Sequence, residues 1–528
     1  MKTFAIAVAV LLLGRLALAH RGVFIGLFVL AAMNGIPVLN TSRYLIGHFT
    51  TQDLVLCTLL LTVLGWIAMD ANPYRPSFAG RFVIGAATLL FTWCVFTAAR
   101  TMVSNHVGIT ATIAFARNYL YFAVLLLLLP RVRLATRDLH ALLATLTAGV
   151  CLFALVQTAT AVGLGNPGSL IHVGHTLHQD GLTRVYAEMT DLVTAGLALS
   201  LAASLLAPQR SLRIAARPVA LLLFVSVVVQ LTRARWIGLI LAFVLVTLWL
   251  VLYSANSVAI AKVLRKRMVV VVGGIVLIIA AVLLIAPGLF SGGPFIERIT
   301  SIFSDIESSG GTLAVREAVT KTMKFYLGEQ WIGGLGFLSP SVHYFDGLPH
   351  GSIEDPDLGV LNAIMPMGAI GAALIYLPVV LTLIMCLRRS AGPSRYAWLR
   401  YGGAIWIVAS LTSSVTLVTL FSTSGLALAA VLLTVLVDPD VAGNPQARAR
   451  VPARPVPRVG EWQRMLATRS SPYRTEPTFV SAAASGAAIL TPASGIGDAI
   501  PVQRQDLSAG GWQAFMRWRR RARRRFQR

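Results

Sequence analysis

Residues 358–387 read LGVLNAIMPMGAIGAALIYLPVVLTLIMCL and contain no charged side chain. At about 1.5 Å per residue, a helix of this length exceeds the ~30 Å hydrocarbon core of a bilayer. Similar apolar runs recur along residues 1–437. They are continuous rather than alternating, so they favour helices over the strands of a membrane barrel. We therefore predict an all-α, polytopic integral membrane protein.

Of 528 residues, 56% are hydrophobic and 12% are charged, whereas soluble domains carry about 25% charged residues. This composition excludes an ordinary soluble protein, and we expect about 12–13 transmembrane helices. The four cysteines fall inside apolar runs, which is typical of small buried side chains rather than of disulfide or metal sites. The candidate spans are 3–19, 22–39, 52–69, 82–99, 111–129, 139–162, 185–207, 218–231, 236–253, 268–290, 358–387, 397–414 and 418–437.

Residues 1–19 have the length and the small-residue ending of a signal peptide, but Arg15 interrupts their apolar core. Five basic clusters in the loops fall on one side if every candidate span is kept, and by the positive-inside rule that side is cytoplasmic. The N-terminus is then external and the C-terminus cytoplasmic. The clusters are Arg75/Arg81, Arg131/Arg133/Arg137, Arg210/Arg213/Arg217, Lys262/Arg265/Lys266/Arg267 and Arg388/Arg389/Arg395.

One long polar interval, residues 291–357, separates two of these spans and falls on the external side. It concentrates charged, histidine and glycine residues, so we expect the chemistry of the protein to take place there, with neighbouring spans completing the site. Within this loop, Arg316 opens a predicted amphipathic helix, and Lys321 and Lys324 follow it. The apolar positions of that helix are Leu313, Val315, Val319, Met323 and Tyr326.

Arginine on the external side of a membrane protein opposes the positive-inside preference, so each such residue needs a local reason. A guanidinium group binds phosphate oxygens bidentately and keeps its charge, so converging arginines would suit the diphosphate of a lipid carrier. The alternative is that each extends to the headgroups or pairs with a carboxylate. The external arginines are Arg184, Arg233, Arg235 and Arg316, and the candidate carboxylates are Glu188, Asp191 and Glu317.

The segment HGSIEDPD, residues 350–357, brings an imidazole and three carboxylates to the start of a span. Asp357 or His350 would accept the proton of a hydroxyl nucleophile, as a general base does. Glu354 and Asp355 are candidates for supporting the acceptor, together with Glu188. The alternative for Asp357 is a helix N-cap, because it follows Pro356 and precedes a helix.

Two other patterns carry weaker signals. His172, His175 and His178 have a spacing that spreads over most of a helical turn, with no cysteine nearby, so we favour a polar loop or substrate rim over a metal site. The glycines of residues 333–336 lack the strand–helix context of a dinucleotide loop and predict a turn.

Residues 438–528 shift in composition to Pro, Ala, Ser, Gly and Arg, which predicts a disordered cytoplasmic tail after a transmembrane domain at 1–437. The tail holds sixteen arginines against six acidic residues, and it ends in GWQAFMRWRRRARRRFQR. Aromatic residues interleaved with arginines at a cytoplasmic surface favour contact with anionic lipid headgroups. The net charge of +24 is therefore divided between the tail and the loops, and it does not predict a nucleic-acid partner.

Three segments resemble the O-antigen ligase and polymerase superfamily of bacterial envelope glycosyltransferases. QLTRARWIGLILAF is similar to a family segment that opens a span, which places Arg235 on its arginine. GGTLAVREAVTKTMKFYLGEQWIGGLGF is similar to the family loop and places Arg316 near the loop arginine. DLGVLNAIMPMGAIGAALIYL is similar to the start of the following span. The resemblance covers roughly residues 160–390, with Asp357 standing where ligases usually have His and Gln330-Trp331 standing where the family has Pro.

The resemblance implies a membrane glycosyltransferase of the bacterial plasma membrane with its active site on the external face. Its donor would be a polyprenyl-diphosphate-linked glycan, its acceptor a hydroxyl on a lipid or glycan, and its mechanism inverting, with no nucleotide sugar, metal or cofactor. In this hypothesis Arg184, Arg235 and Arg316 hold the diphosphate, while Asp357 or His350 activates the acceptor.

Two other functions compete with glycan transfer. A transporter or flippase of lipid-linked glycan predicts mid-span ionisable residues and paired broken helices; Arg117 is the best mid-span charge, and most others lie at external ends. An enzyme that uses a monosaccharide phosphate lipid predicts an acidic motif in the first external loop. Residues 40–51 contain no carboxylate, and Asp53 stands alone beside them.

Overall fold

The computed structural model is mostly helical. In chain order its first elements are α1 (Arg21–Ala32), β1 (Tyr44–Ile46), β2 (Phe49–Thr50), α2 (Thr51–Met69), α3 (Phe78–Ser104), α4 (Ile109–Leu128), α5 (Thr136–Ala161), β3 (His175–Gln179) and β4 (Leu182–Tyr186). The later elements are α6 (Thr190–Leu206), α7 (Arg210–Val229), α8 (Arg233–Tyr253), α9 (Thr312–Leu327), α10 (Leu361–Ser390), α11 (Ala397–Ser413) and α12 (Gly425–Val437). The structure describes residues 12–34, 44–46, 49–70, 76–132, 134–161, 175–179, 182–186, 189–230, 232–253, 312–338, 343–346, 348, 352–353, 359–390, 396–415 and 425–437.

Seven helices are long and apolar enough to cross a membrane, and they identify a membrane-embedded protein. They are Thr51–Met69, Phe78–Ser104, Ile109–Arg131, Thr136–Ala161, Arg210–Val229, Ala234–Tyr253 and Leu361–Ser390. The helices α1, α6 and α12 are equally apolar but shorter. The predicted span 268–290 and the tail 438–528 lie outside the described residues.

The observed helices follow most of the predicted spans closely. Several boundaries were predicted wrongly, among them the end of the span predicted at 22–39, which lies at Ala32. The span predicted to start at 185 begins at Thr190, because residues 182–186 form β4, which pairs antiparallel with β3. The span predicted at 218–231 belongs to a helix that starts at Arg210 and continues through Pro218.

Contacts between helix termini divide the described helix ends into two groups. One group contains the starts of α2, α4, α6, α8 and α10; we call it the loop end, because the segment around α9 packs there. Contacts across it join α1 to α2, with the Gln52 amide donating to Ala32 O at 3.1 Å. They also join α8 to α11, with the Ser413 hydroxyl donating to Ala234 O at 3.3 Å.

The other group of helix ends carries the basic clusters, and we call it the basic end. Arg21 pairs there with Asp70 at 3.1 Å, and Arg389 donates to Val437 O at 3.3 Å. The clusters around residues 131–137, 210–217 and 388–389 share this end. The cluster at residues 262–267 lies outside the described residues, and the cytoplasmic side predicted for all five clusters stays a prediction.

The core is centred on α11 and α12, most of whose side chains are buried. Helix α11 packs against α6, α8 and α10. It approaches α6 closely, since a Cβ at Gly402 would lie 2.9 Å from Leu199 Cα and 3.0 Å from Ala198 O. A larger residue there would push backbone away, so α11 fixes the spacing between its neighbours.

Candidate functional site

The glycine turn of residues 333–336 inserts into a break in α10. Helix α10 has non-helical backbone angles at Gly368 (φ 69°, ψ −176°). At this break the turn pairs with the helix backbone: Leu335 N donates to Met365 O at 2.8 Å and Gly336 N donates to Pro366 O at 3.0 Å. The predicted turn is confirmed, and its partner is the span that follows the loop.

Glycine is required on both sides of this contact. Gly334 has φ of +74° and Gly368 has φ of +69°, in the region that other residues rarely adopt. A Cβ on Gly334 would lie 2.6 Å from Pro366 O, and one on Gly368 would lie 2.5 Å from Gly334 N. Both clashes are with backbone atoms, which a side-chain rotation cannot relieve.

Arg100, near the end of α3, holds the turn from the other side. Its Nη2 atom donates to Gly333 O at 2.9 Å and to Gly334 O at 2.6 Å. Hydrogen bonds from a charged donor are stronger than neutral ones, at about 1.5–3 kcal/mol each. The guanidinium therefore ties a loop segment to a span more than 200 residues away in sequence.

Other polar side chains of α3 complete this attachment. The Thr101 hydroxyl accepts a hydrogen bond from Phe337 N at 2.9 Å, and the Asn105 amide donates to Leu335 O at 3.2 Å. The Trp93 indole donates to the carbonyl of Met367 at 3.0 Å, directly beside the break in α10. A carbonyl released by the broken helix is thus satisfied inside the bundle, as a membrane protein requires.

Helix α9 carries Arg316 and packs on the loop end through an apolar face. Val319 and Met323 are buried together with Leu327 in a cluster that includes Met365 of α10, so the predicted amphipathic helix is confirmed at Val319 and Met323. Arg316 itself is half-buried.

The neighbouring carboxylate of α9 is engaged within its own helix. Lys321 Nζ lies 2.9 Å from Glu317 Oε1, and both side chains are largely exposed. The hydrogen bond from Lys321, followed by its positive charge, lowers the pKa of the Glu317 carboxyl.

Arg235 lies in the first turn of α8 and forms an ion pair with Asp191, in the first turn of α6. The distance from Nη2 to Asp191 Oδ1 is 3.1 Å, and each side chain is 11% exposed. The other terminal nitrogen, Nη1, is buried and has no hydrogen-bond partner in the described part of the chain. One edge of a buried guanidinium therefore faces a carboxylate, while a donor of the same group is left for an anionic or polar ligand.

Two buried glutamines lie at the same end of the bundle, in the helices next to this pair. Ser226 of α7 donates to Gln157 Oε1 of α5 at 2.5 Å, and Gln230 Nε2 donates to the same oxygen at 3.3 Å. Among described residues, Gln157 Nε2 and Gln230 Oε1 have no partner. The end of the bundle near Arg235 thus contains a side-chain donor and a side-chain acceptor that no described residue engages.

A short series of contacts connects Arg235 with the start of α10. Ala234, beside Arg235, accepts the hydrogen bond from Ser413 described above. The residue that directly follows α11, Ser414, accepts a hydrogen bond from Val360 N on its backbone oxygen at 2.8 Å. The end of α11 therefore lies between the arginine and the segment that follows the predicted base.

A second ion pair lies at the loop end, between α2 and α4. Arg117 Nη1 lies 2.8 Å from Asp53 Oδ2, and the Asp53 side chain is 3% exposed. The same carboxylate oxygen accepts from Thr50 N at 2.7 Å, which caps α2. Arg117 was predicted to be the best mid-span charge, and it lies well inside α4, more than two turns from its start at Ile109. Its partner Asp53, the one carboxylate beside the first predicted external loop, lies in the first turn of α2.

The structure describes only some of the other predicted site residues. Arg184 lies in β4 opposite Leu177, and Arg233 is the first residue of α8; their side chains lie outside the described part. The predicted meeting of Arg184, Arg235 and Arg316 stays a prediction. The residues wholly outside the described ranges are Glu188, His350, Glu354, Asp355 and Asp357.

The histidines interpreted with helical spacing lie partly in a strand. His175 and His178 belong to β3, opposite Tyr186 and Thr183 of β4, so the helical spacing used for them was wrong. Within the described ranges, no group of three metal-ligating side chains comes together. His172 lies outside these ranges.

The sequence interpretation missed Arg100. It stands at the loop end of its span, as Arg235 does, and the argument that an arginine on the predicted external side needs a local reason applies to it equally. Trp93 and Asn105 gave no comparable signal, since their function depends on a break in a distant helix.

The fold and this site define a polytopic helical membrane protein that buries arginine and glutamine groups at one end of its bundle. No known protein-family model matches the chain, and no curated protein matches it.

Proposed function

We propose that the protein transfers a glycan from a polyprenyl-diphosphate-linked donor to an acceptor hydroxyl, on the external face of a bacterial plasma membrane. The observation that carries this proposal is the buried Arg235 guanidinium, which is held by Asp191 and retains an unused donor. Ionisable groups buried near the end of a membrane span are costly and mark functional sites by default.

The ion pair with Asp191 limits how strongly Arg235 alone can attract a diphosphate. One carboxylate offsets one guanidinium, so the pair has no net charge for a diphosphate. Further cations are needed, and Arg184, Arg233 and Arg316 are the ones we propose. Asp191 then orients the guanidinium, and the edge that carries Nη1 binds a phosphate oxygen.

The reaction follows from these parts. The acceptor oxygen attacks C1 of the donor sugar, the bond from C1 to the diphosphate oxygen breaks with inversion, and the hydroxyl proton passes to Asp357 or His350. The arginines stabilise the charge that develops on the leaving diphosphate. Asp357 precedes Val360 by three residues, so the covalent chain keeps their Cα atoms within about 11 Å. Val360 in turn is joined through α11 to the residue beside Arg235.

Transport of a lipid-linked glycan is the second candidate, and one observation favours it. Helix α10 is broken at Gly368, and broken helices are common at transporter binding sites. However, the break is filled by the glycine turn, and Trp93 binds the neighbouring carbonyl. Arg117 lies inside α4, as a mid-membrane pathway requires, but its charge is offset by Asp53 at 2.8 Å, in the first turn of α2. These contacts favour a structural role for the break.

The test is transfer by membranes that contain Arg235→Ala, compared with Arg21→Ala. Arg21 is a matched control, because it forms an ion pair of the same length with Asp70 at the basic end. We expect Arg235→Ala to lower transfer by a factor on the order of 10² to 10³, the usual cost of removing one donor to developing charge. Arg21→Ala should retain transfer. Wild-type rates in Arg235→Ala, at equal protein levels, would refute the proposal.

The glycans of a strain that lacks the protein separate the remaining possibilities. Short lipid-linked units that accumulate on the outer face indicate a polymerase, and finished polymer that is missing from its anchor indicates a ligase. Lipid-linked glycan held on the cytoplasmic face indicates the transporter instead.

A further inference from the structure

A long apolar groove lies between α5, α6 and α7, and its lining at the loop end includes Leu192, next to Asp191. Its volume is about 590 Å³, within the usual range of ligand pockets. Its lining on α6 extends from Leu192 to Ala203, which is about 17 Å along a helix axis. A slot with this length and an apolar lining suits an extended hydrocarbon chain.

The two ends of the groove differ in polarity. At the loop end it is closed by Val150, Leu192 and Leu223, which are all at most 3% exposed. At the basic end it is lined by Gln209, Tyr396 and other residues that include His140 and Trp398. Tyr and Trp are enriched where a membrane meets water. The polar mouth therefore lies at the basic end, and a ligand enters with its polar head there.

Arginines surround this mouth. Arg213 donates to Ala207 O at 2.8 Å and to Pro208 O at 3.1 Å, and Pro208 lines the groove. Arg210 is exposed and adjoins Gln209, while Arg137 is exposed one turn before His140. The acidic residue next to Arg137, Asp138, accepts a hydrogen bond from Ala135 N at the start of α5. The mouth is therefore strongly positive.

We propose that this groove binds one anionic phospholipid, with an acyl chain between α5, α6 and α7 and its headgroup at Arg137, Arg210 and Arg213. Basic pockets between helices on the cytoplasmic side of membrane proteins bind anionic headgroups in this way. This site is separate from the glycan donor site, and its test does not require the proposed reaction.

The tail of the proposed polyprenyl donor is a poorer occupant. Its diphosphate would have to lie at the loop end, near Asp191. The groove is closed there by three buried apolar side chains, and the polar lining and the arginines lie at the opposite end. The charge distribution thus selects a lipid whose head faces the basic end.

The test is native mass spectrometry of the full-length protein in detergent, titrated with phosphatidylglycerol, phosphatidylcholine or undecaprenyl phosphate. Ala144→Trp fills the groove from an exposed alanine that lines it. The double variant Arg137→Gln/Arg210→Gln removes two exposed charges and leaves the structural contacts of Arg213 intact. Leu89→Trp is the matched control, since Leu89 is 56% exposed on α3, outside the groove.

We expect one tightly retained phosphatidylglycerol per wild-type protein and per Leu89→Trp. Ala144→Trp should lose it, and the double variant should bind it on the order of tenfold to thirtyfold more weakly. Equal retention of phosphatidylcholine would overturn the proposal, as would tight undecaprenyl phosphate binding that Ala144→Trp abolishes. Should Ala144→Trp fail to fold, unchanged phosphatidylglycerol affinity in the double variant would still refute it.

Discussion

Replacing Gly368 by Ala tests whether the glycine turn and the break in α10 form one structural unit. Gly368 has φ of +69°, and a Cβ there would meet backbone atoms of the turn, including Gly334 N at 2.5 Å. Alanine therefore cannot be accommodated unless the turn moves out of the break or α10 changes its path.

The expected cost has two parts. Holding a residue other than glycine in this backbone region costs about 1–3 kcal/mol. Moving the turn removes the hydrogen bonds Leu335 N to Met365 O and Gly336 N to Pro366 O, at about 1 kcal/mol each. The total is about 3–5 kcal/mol, a large part of the ~5–15 kcal/mol by which proteins are stable. At roughly 2 °C per kcal/mol for a large domain, the melting temperature should fall by about 6–10 °C.

Two measurements check this expectation in detergent-solubilised protein. Thermal unfolding followed by size-exclusion chromatography gives the loss of stability. Limited trypsin digestion reports on the loop, because Lys321 and Lys324 are exposed on α9, and a protease cleaves after them once the segment detaches and its helix unfolds. Both effects should appear together in Gly368→Ala.

Gly85→Ala is the matched control, since a Cβ at Gly85 meets nothing within 4 Å. Alanine is favoured over glycine inside a helix by about 1 kcal/mol, so this variant should be as stable as the wild type or more so. If Gly368→Ala has the same melting temperature as Gly85→Ala and its loop resists trypsin equally well, the inserted turn does not hold the loop.

The remaining predictions concern the polar contacts of the loop end. Arg100→Leu removes the two hydrogen bonds that Nη2 donates to Gly333 O and Gly334 O. It should expose the loop to trypsin and lower the stability of the protein by about 3 kcal/mol, measured by the same thermal assay. Trp93→Phe removes one indole donor beside the break and should cost about 1–3 kcal/mol, while trypsin resistance is kept. Asp53→Asn leaves Arg117 without its carboxylate and should cost about 3 kcal/mol. Arg117→Met in the same chain should recover part of that loss, and additive losses in the double variant would contradict the ion pair.

Hydropathy predicted most of the described spans to within a few residues, because a bilayer requires long apolar helices. The main miss was the start of α7 at Arg210, eight residues before the predicted 218. Arginines in the first turns lower the average hydropathy, yet a helix tolerates them where their ends reach the headgroups. A start at 185 was also wrong, because hydropathy does not separate the strand β4 from the helix that follows it.

The sequence predicted several elements of the candidate site but not the residues that they contact. The glycine turn and the apolar face of α9 were predicted, and Asp191 was named among the carboxylates that pair with an external arginine. The pairing of Asp53 with Arg117 was missed because the two residues are 64 positions apart. The break at Gly368 could not be predicted either, since Gly in an apolar span is common and only the inserted turn gives it a function.

Two polar assemblies at the loop end are positioned by different helices. Arg100 and the glycine turn are held by α3 and α10, whereas Arg235 and Asp191 are held by α8 and α6. Helix α11 touches both, since Ser413 binds the backbone beside Arg235 and Ser414 binds the residue that precedes α10. Because α11 is buried and packs closely on α6 at Gly402, it has little freedom to shift. The relative position of loop and arginine is therefore set by the core of the bundle, which explains how a site assembled from distant segments can hold a fixed geometry.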